Sequence, residues 1–235
     1  DNKTDQDTYF KDIFSLPPAH TITIKNYKSI VKRYWSPQQL PLKRYKNKQQ
    51  YVQEMLELFT NAVQTRLNGG QLVASMLSGG LDSSAVSYIA ADLLKKQRKS
   101  LTTFSHVPLF EKELLNTPEN NTRILNEASL IKQVAEASGN MRPILLNSQR
   151  YGILEGMKNG IDILGGPSHA SCNLYWMLDI FKTAREQGFS TLLTGEGGNG
   201  SISFSGVDYL LPFNSSRLQK HPFLFFKNQV AKPIV

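Results

Sequence analysis

Apolar residues recur along this 235-residue chain in two patterns that alternate with each other. Residues three and four positions apart predict amphipathic helices, and short apolar runs bounded by glycine predict buried strands. The predicted core strands are 72–77, 101–107, 143–146 and 191–194. Strands that alternate with helices of this length predict an α/β fold, in which a parallel sheet carries helices on both faces.

Glycine residues end most of the predicted helices. One helix is expected to run from an N-cap at Thr122 to Gly139, and another from Leu174 to a stop at Gly188. Residues 150–172 interrupt the helical pattern, because several residues that break helices lie there. These are Gly160, Gly165, Gly166 and Pro167.

The first 35 residues have a different character. Residues 21–24 alternate like a short strand, and residues 26–28 can turn the chain back toward Val31. Residues 36–48, with two prolines and many Gln and Lys residues, predict a linker.

Composition narrows the class of protein. Hydrophobic residues make up 40% and charged residues 20%, as in ordinary globular domains. No apolar run is long enough to span a bilayer, and no membrane partner is expected. Cys172 is the single cysteine, so no internal disulfide can form, and a cytoplasmic location is expected.

The net charge of +8 has two readings. One is a polyanionic partner, such as nucleic acid or nucleotide phosphates, and the other is a solvated surface or a piece whose acidic remainder is missing. The lysines and arginines are spread along the chain, which favours the solvated surface.

The stretch 78–84, here called the first glycine loop, lies between a predicted strand and a predicted helix. Its sequence is Ser78-Gly79-Gly80-Leu81-Asp82-Ser83-Ser84. Glycines let backbone N–H groups converge on an anion, and the helix adds its positive end. Serine hydroxyls can donate to phosphate, whereas Asp82 would repel phosphate unless a cation such as Mg²⁺ lies between them. No Gly-Lys-Ser/Thr follows, so this is not a Walker loop.

The stretch 194–200, the second glycine loop, follows the last predicted strand as Thr194-Gly195-Glu196-Gly197-Gly198-Asn199-Gly200. Both loops fall at the carboxyl ends of parallel strands, the edge where ligands bind in such sheets. The sequence therefore predicts one site built from both loops.

The first loop resembles the SGGLDSS pyrophosphate loop of the PP-loop ATP pyrophosphatases, which have the adenine nucleotide alpha hydrolase-like fold. Together with the Gly-Glu-Gly of the second loop, it resembles the synthetase domain of glutamine-hydrolysing asparagine synthetases. Residues 16–20 and 33–35 look like the end of the glutaminase domain that precedes it in that family. The resemblance implies four segments, namely 1–35 as the end of a glutaminase domain, 36–48 as linker, 49–206 as the nucleotide-binding synthetase domain, and 207–235 as the start of a truncated C-terminal region.

The resemblance also implies a role for each matching residue. The adenosine pocket would be lined by Leu77, Phe104, Ser105, His106 and Gly195. The pyrophosphate would be held by Ser78, Gly79, Gly80, Ser83 and Ser84. Asp82 and Glu127 would bind Mg²⁺, and Glu196 would be the catalytic acid close to the reacting carboxylate.

The reaction implied is ATP-dependent amide synthesis, as in asparagine biosynthesis. A carboxylate substrate would be activated as an acyl-adenylate with release of pyrophosphate, and ammonia would come from a glutaminase domain missing from this chain. Nucleic acid is not expected as a partner, and the oligomeric state, a homodimer included, is left open. A tRNA-modifying PP-loop enzyme and a non-catalytic nucleotide-binding relative remain alternatives.

Some positions depart from the family. Asn199 and Gly200 stand where the family has acids, and residues 204–206 replace its Phe-Gly-Gly-Tyr ending, which puts aspartate in doubt as the substrate. Residue 1 is Asp rather than the glutaminase cysteine, and the region of the family's catalytic lysine is missing. We therefore expect the isolated piece to be inactive.

Overall fold

A computed structural model of the chain describes residues 6–69, 71–110, 126–168, 170–198 and 203. These residues form two compact units. Unit 1 falls within Asp1–Phe59 and Gly152–Tyr175, and unit 2 within Thr60–Tyr151 and Trp176–Val235. The four functional segments expected from the sequence remain a prediction, and residues 207–235 lie outside the described residues.

Strands and helices are numbered separately along the chain. The strands are β1 (His20–Lys25), β2 (Lys28–Arg33), β3 (Val73–Met76), β4 (Leu101–His106), β5 (Met141–Leu146) and β6 (Thr191–Leu193). The helices are α1 (Lys48–Leu67), α2 (Leu81–Lys96), α3 (Ala128–Ser138), α4 (Ile153–Leu164) and α5 (Leu174–Glu186). Short 3-10 turns cover Pro37–Gln39 and Ser171–Asn173.

Unit 1 contains the predicted hairpin. β1 and β2 pair antiparallel, with Ile22 opposite Val31. Asn26 and Tyr27 form the two-residue turn, and both have positive φ, the backbone conformation that such tight hairpins need.

α4 corrects an expectation from the sequence. Residues 150–172 looked too rich in glycine for a helix, yet α4 runs through Gly156 and Gly160. Both glycines are buried, and a Cβ at either position would collide with Tyr175 or Leu174 respectively. These glycines permit close packing instead of ending the helix, which stops at Gly165 with φ +73°.

Unit 2 is built on a parallel four-stranded sheet in the order β5-β4-β3-β6. All three pairings are parallel, and Met76 lies opposite Phe104, which lies opposite Ile144. The predicted core strands are thus present and adjacent in one sheet.

Helices cover both faces of this sheet, because successive strand residues point to opposite sides. On one face, Ala74 and Phe104 pack against Ile180 and Ala184 of α5. On the other face, Ser75 Oγ lies 2.7 Å from Ser87 Oγ of α2. The α/β fold with a parallel sheet between two helical layers is therefore confirmed.

The helix ends test the local expectations. Gly139 and Gly188 have φ of +62° and +85° and follow their helices as expected. The predicted N-cap Thr122 lies outside the described residues, but α3 begins only at Ala128, with Glu127 as the residue before it. The extended start of that helix was therefore wrong. Within the described ranges, no helix combines the length and apolar character needed to cross a membrane.

Candidate functional site

The site lies at the carboxyl edge of the unit 2 sheet. The first glycine loop leaves β3, which stands between β4 and β6, and the second glycine loop leaves β6. The chain proceeds from β3 to β4 on one side, while β6 lies on the other side of β3. The two loops therefore flank a topological switch point, the usual place for a ligand in a parallel α/β sheet.

Serine hydroxyls hold the first glycine loop in shape. Ser83 Oγ accepts a hydrogen bond from the Ser78 backbone N–H at 3.1 Å and lies 2.9 Å from Ser78 Oγ. The Gly80 N–H donates to the Ser78 carbonyl at 2.6 Å. These bonds close the loop on itself, so Ser83 stabilises the loop as well as lining the site.

Backbone donors remain available at the start of α2. Gly80 is the N-cap, and no side chain caps the helix. The first N–H groups of any α-helix lack partners inside the helix. Among the described residues, the N–H groups of Leu81 and Asp82 have no acceptor, and they add to the positive end of the helix dipole. This arrangement suits an anion.

Close packing joins the two loops. A Cβ on Gly195 would lie 2.5 Å from the Ser83 nitrogen and 2.8 Å from the Asp82 carbonyl carbon. A Cβ on Gly198 would overlap the Asp82 carboxylate. The backbone of the second loop therefore rests directly on the first turn of α2.

A cavity of about 810 Å³ opens between these elements. It brings together all of the site residues predicted from the sequence except Gly79 and Ser84. The predicted residues that line it are Leu77, Ser78, Gly80, Asp82, Ser83, Phe104, Ser105, His106, Glu127, Gly195 and Glu196. The individual roles expected for them remain predictions.

Gly79 and Ser84 are not among the residues that line the cavity. Gly79 has φ +65°, and a Cβ there would lie 2.8 Å from the Leu130 side chain, so its task is to let α2 and α3 approach. The Ser84 hydroxyl is buried and has no partner among the described residues. A pyrophosphate-holding role for these two residues stays a prediction.

Three carboxylates line the cavity: Asp82, Glu127 and Glu196. Burial raises the pKa of Glu127 above its usual value. In the part of the chain that the structure describes, no group of three or more His, Cys, Asp or Glu side chains is close enough to hold a metal ion. Carboxylates are hard oxygen donors of the kind that Mg²⁺ accepts together with phosphate and water.

α5 supplies an apolar wall that the sequence did not predict. Trp176, Met177, Ile180 and Phe181 line the cavity, and Trp176 also packs against the core. The sequence predicted a helix that starts at Leu174, but not that this part of the helix borders the cavity. His106 stacks on Trp176 with ring centroids 5.5 Å apart.

Several predicted features lie outside the described residues. Asn199 and Gly200 of the second loop and the replaced family ending at 204–206 belong to this group. Ser203 also lines the cavity, although nothing in the sequence marked it.

Comparison with known proteins points to one family. The asparagine synthase family model matches residues 54–223. Asparagine synthetase [glutamine-hydrolyzing] 3 of Bacillus subtilis (strain 168) is 36% identical over 97 residues, 41% of this chain and 16% of that protein. Amidase chyE of Penicillium rubens (strain ATCC 28089 / DSM 1075 / NRRL 1951 / Wisconsin 54-1255) is 32% identical over 105 residues, 43% of this chain and 16% of that protein.

Two solved structures are also similar. The NH3-dependent NAD synthetase of Campylobacter jejuni, in complex with nitrate, aligns with a TM-score of 0.40 and 13% identity over 66% of this chain and 61% of that chain. The NAD+ synthetase of Burkholderia pseudomallei aligns with a TM-score of 0.33 and 10% identity over 63% and 62% of the two chains. The matched segments span only 16% of each curated relative. The asparagine synthase family model covers most of this chain, and the chain therefore belongs to the asparagine synthase family.

Proposed function

We propose that the chain is the ATP-binding part of a ligase that forms amide bonds and releases AMP and pyrophosphate. The observation that carries this proposal is the packing of the second glycine loop on the first, around one cavity at a switch point of the sheet. The cavity has anion donors on one side and an apolar wall on the other, which suits a nucleotide better than a uniformly polar substrate.

The two ends of ATP would occupy different parts of the cavity. The phosphates belong at the start of α2, where the N–H groups of Leu81 and Asp82 and the Ser78 hydroxyl can donate. The base belongs against the apolar wall of Trp176 and Phe181.

The reaction would proceed in two displacements. A carboxylate oxygen of the substrate attacks the α-phosphorus, the bond between this phosphorus and the bridging oxygen breaks, and pyrophosphate leaves with the electron pair. An amine nitrogen then attacks the acyl carbon, loses a proton, and displaces AMP as the carbon–oxygen bond breaks. The residues described here would contribute chiefly by positioning and charge stabilisation.

Mg²⁺ would supply positive charge beside the phosphates. Asp82 and Glu127 are the oxygen donors that would hold it, since both line the cavity next to the first loop. A cation bound there would oppose the effect of burial, which raises the pKa of Glu127.

Glu196 would act at the reacting carboxylate, because it follows Gly195 directly on the loop that contacts α2. Ammonia delivered by an attached glutaminase domain would be the amine. The carboxylate substrate need not be aspartate, because Asn199 and Gly200 remove two negative charges from the second loop.

Exchange of labelled pyrophosphate into ATP by the full-length protein tests the first displacement. Asp82→Asn should reduce this exchange by about 100-fold, equivalent to about 2.7 kcal/mol of barrier. Asp92→Asn is the matched control, since Asp92 lies on the same helix and pairs with Lys96 on an exposed surface. The control should exchange like the unchanged protein.

Two outcomes would contradict the proposal. Equal exchange by Asp82→Asn and Asp92→Asn would remove Asp82 from the metal site. ATP binding without exchange under any carboxylate tested would instead favour a non-catalytic nucleotide-binding relative.

A further inference from the structure

α5 has a charged face on the side opposite the cavity. Its cavity side carries the aromatic and aliphatic residues of the apolar wall. Successive residues of a helix are about 100° apart, so residues spaced by three and four form a row along one face. Such a row, here called the polar stripe, lies on the other side of α5. Its members are Asp179, Lys182 and Glu186.

The polar stripe is bound by two consecutive residues that follow β5. Arg150 Nε lies 3.3 Å from Asp179 Oδ1, and Arg150 Nη1 and Nη2 donate to the two Glu186 carboxylate oxygens at 2.9 and 3.0 Å. Asp179 and Glu186 are about two helical turns apart, so one guanidinium holds α5 at two points along its axis. Tyr151 contacts the third member, since Lys182 Nζ lies 5.8 Å above the centre of its ring.

Burial distinguishes this attachment from an ordinary surface ion pair. Asp179 is 6% exposed, and carboxylates are rarely buried without a partner. Exposed ion pairs contribute little, whereas removal of one partner from a buried pair leaves an uncompensated charge. The hydrogen bonds between Arg150 and Glu186 raise the pKa of Arg150 and lower the pKa of Glu186. A lysine could not make the same set of bonds, because it lacks the planar fork of donors.

We propose that Arg150 is a positioning residue for the bound nucleotide and acts through α5. The inference rests on the proposed function, because it assigns the base of ATP to the apolar wall. The guanidinium fixes the rotation of α5 about its own axis, because it binds two members of the polar stripe. A modest rotation of the helix would turn Trp176 and Phe181 away from their places in the cavity wall.

The two ends of ATP should respond unequally to a change at Arg150. The phosphates belong at the start of α2, and no member of the polar stripe lines the cavity. Inorganic pyrophosphate has no base, so it would bind at α2 without using the apolar wall. Loss of Arg150 should therefore weaken the binding of ATP and spare the binding of pyrophosphate. A general loosening of the fold would weaken both.

The test is equilibrium binding of ATP and of inorganic pyrophosphate to the full chain, each measured with Mg²⁺. Arg150→Met keeps a long apolar side chain but removes the guanidinium. It should weaken ATP binding by about tenfold, the size of one aromatic contact, and leave pyrophosphate binding unchanged. Arg150→Lys keeps the charge without the fork of donors, so its ATP affinity should fall between those of Arg150→Met and the unchanged chain.

Arg142→Met is the matched control. Arg142 is an exposed arginine of β5 that makes no ion pair with any described residue, so both affinities should equal those of the unchanged chain. Thermal unfolding shows whether each variant is folded. If Arg150→Met is unfolded, Glu186→Gln decides, because it keeps the pair between Arg150 and Asp179. It should weaken ATP binding by about threefold, again without an effect on pyrophosphate.

Equal weakening of ATP and pyrophosphate binding in folded Arg150→Met would overturn the inference, as would unchanged ATP binding. An unchanged chain that binds ATP but not pyrophosphate would also contradict it, because the phosphates would then have no separate place at α2. These results leave ATP binding itself standing. Failure of the unchanged chain to bind ATP would overturn the proposed function and this inference with it.

Discussion

The two glycine loops meet at one site but are held in shape by different means. The first loop is fixed from within, because Ser83 Oγ contacts both the backbone and the hydroxyl of Ser78. The second loop is fixed from outside, because Gly195 and Gly198 lie against α2 where no Cβ would fit. One loop therefore depends on side chains that are present, and the other on side chains that are absent.

Substitution at Gly195 is the strongest way to test this difference. Gly195→Ala should lower the free energy of unfolding by about 1–3 kcal/mol, because the new methyl group meets backbone atoms of Ser83 that cannot move aside. Displacement of the loop should also reduce pyrophosphate exchange by about 100-fold. Chemical denaturation and the exchange assay measure the two effects.

Gly69→Ala is the control for that experiment. Gly69 is exposed in the bend after α1, and nothing lies within 4 Å of its Cβ position. Its unfolding free energy should stay within about 0.5 kcal/mol of the unchanged chain. Equal stability of the two variants would mean that the second loop can move away from α2 to make room for the methyl group. It would contradict the claim that close packing on α2 holds this loop in shape.

Two neighbouring serines sharpen the account of the first loop. Ser83→Ala removes the bonds to Ser78 and should cost about 1–2 kcal/mol of stability. Ser84→Ala removes a buried hydroxyl that has no partner among the described residues, so it should be neutral or slightly stabilising. Chemical denaturation of both variants measures their free energies of unfolding. A larger loss of stability in Ser84→Ala than in Ser83→Ala would show that the loop is not held through Ser83.

The smallest expected effect concerns Glu127, which lines the cavity but belongs to neither loop. Burial raises its pKa, so the folded chain holds this proton more tightly than the unfolded chain. Stability should therefore fall as pH rises from the ordinary Glu value through the raised pKa, and then stay level. Glu127→Gln should remove this fall, a change below about 0.5 kcal/mol because the group keeps much of its contact with water. Thermal unfolding of both proteins between pH 4 and 8 checks it, and identical pH profiles would contradict it.

Local patterns predicted most of the fold. Strand alternation, the Asn26-Tyr27 turn and the helix stops at Gly139 and Gly188 all depend on neighbours in sequence, and the structure confirms them. The two glycine loops were found for the same reason. Each loop is a continuous stretch of the sequence, so its residue types can be recognised without knowledge of the fold.

Long-range contacts explain what the sequence did not show. Gly160 was expected to interrupt a helix, yet it lies inside α4 because its partner Leu174 is far along the chain. The apolar wall was missed for a similar reason. The sequence predicts the helix that carries Trp176 and Ile180, but it cannot show that these two side chains border the cavity.

The buried Ser75 has a consequence for how the site is assembled. Its hydroxyl lies 2.7 Å from Ser87 of α2 and donates to the Leu193 carbonyl of β6 at 3.3 Å. The same oxygen thus joins the helix that follows one loop to the strand that precedes the other. A slip of α2 along its axis by one residue, about 1.5 Å, would break this junction. The buried Ser75 hydroxyl, which does not line the cavity, therefore fixes α2 relative to β6, and through them the positions of the two loops.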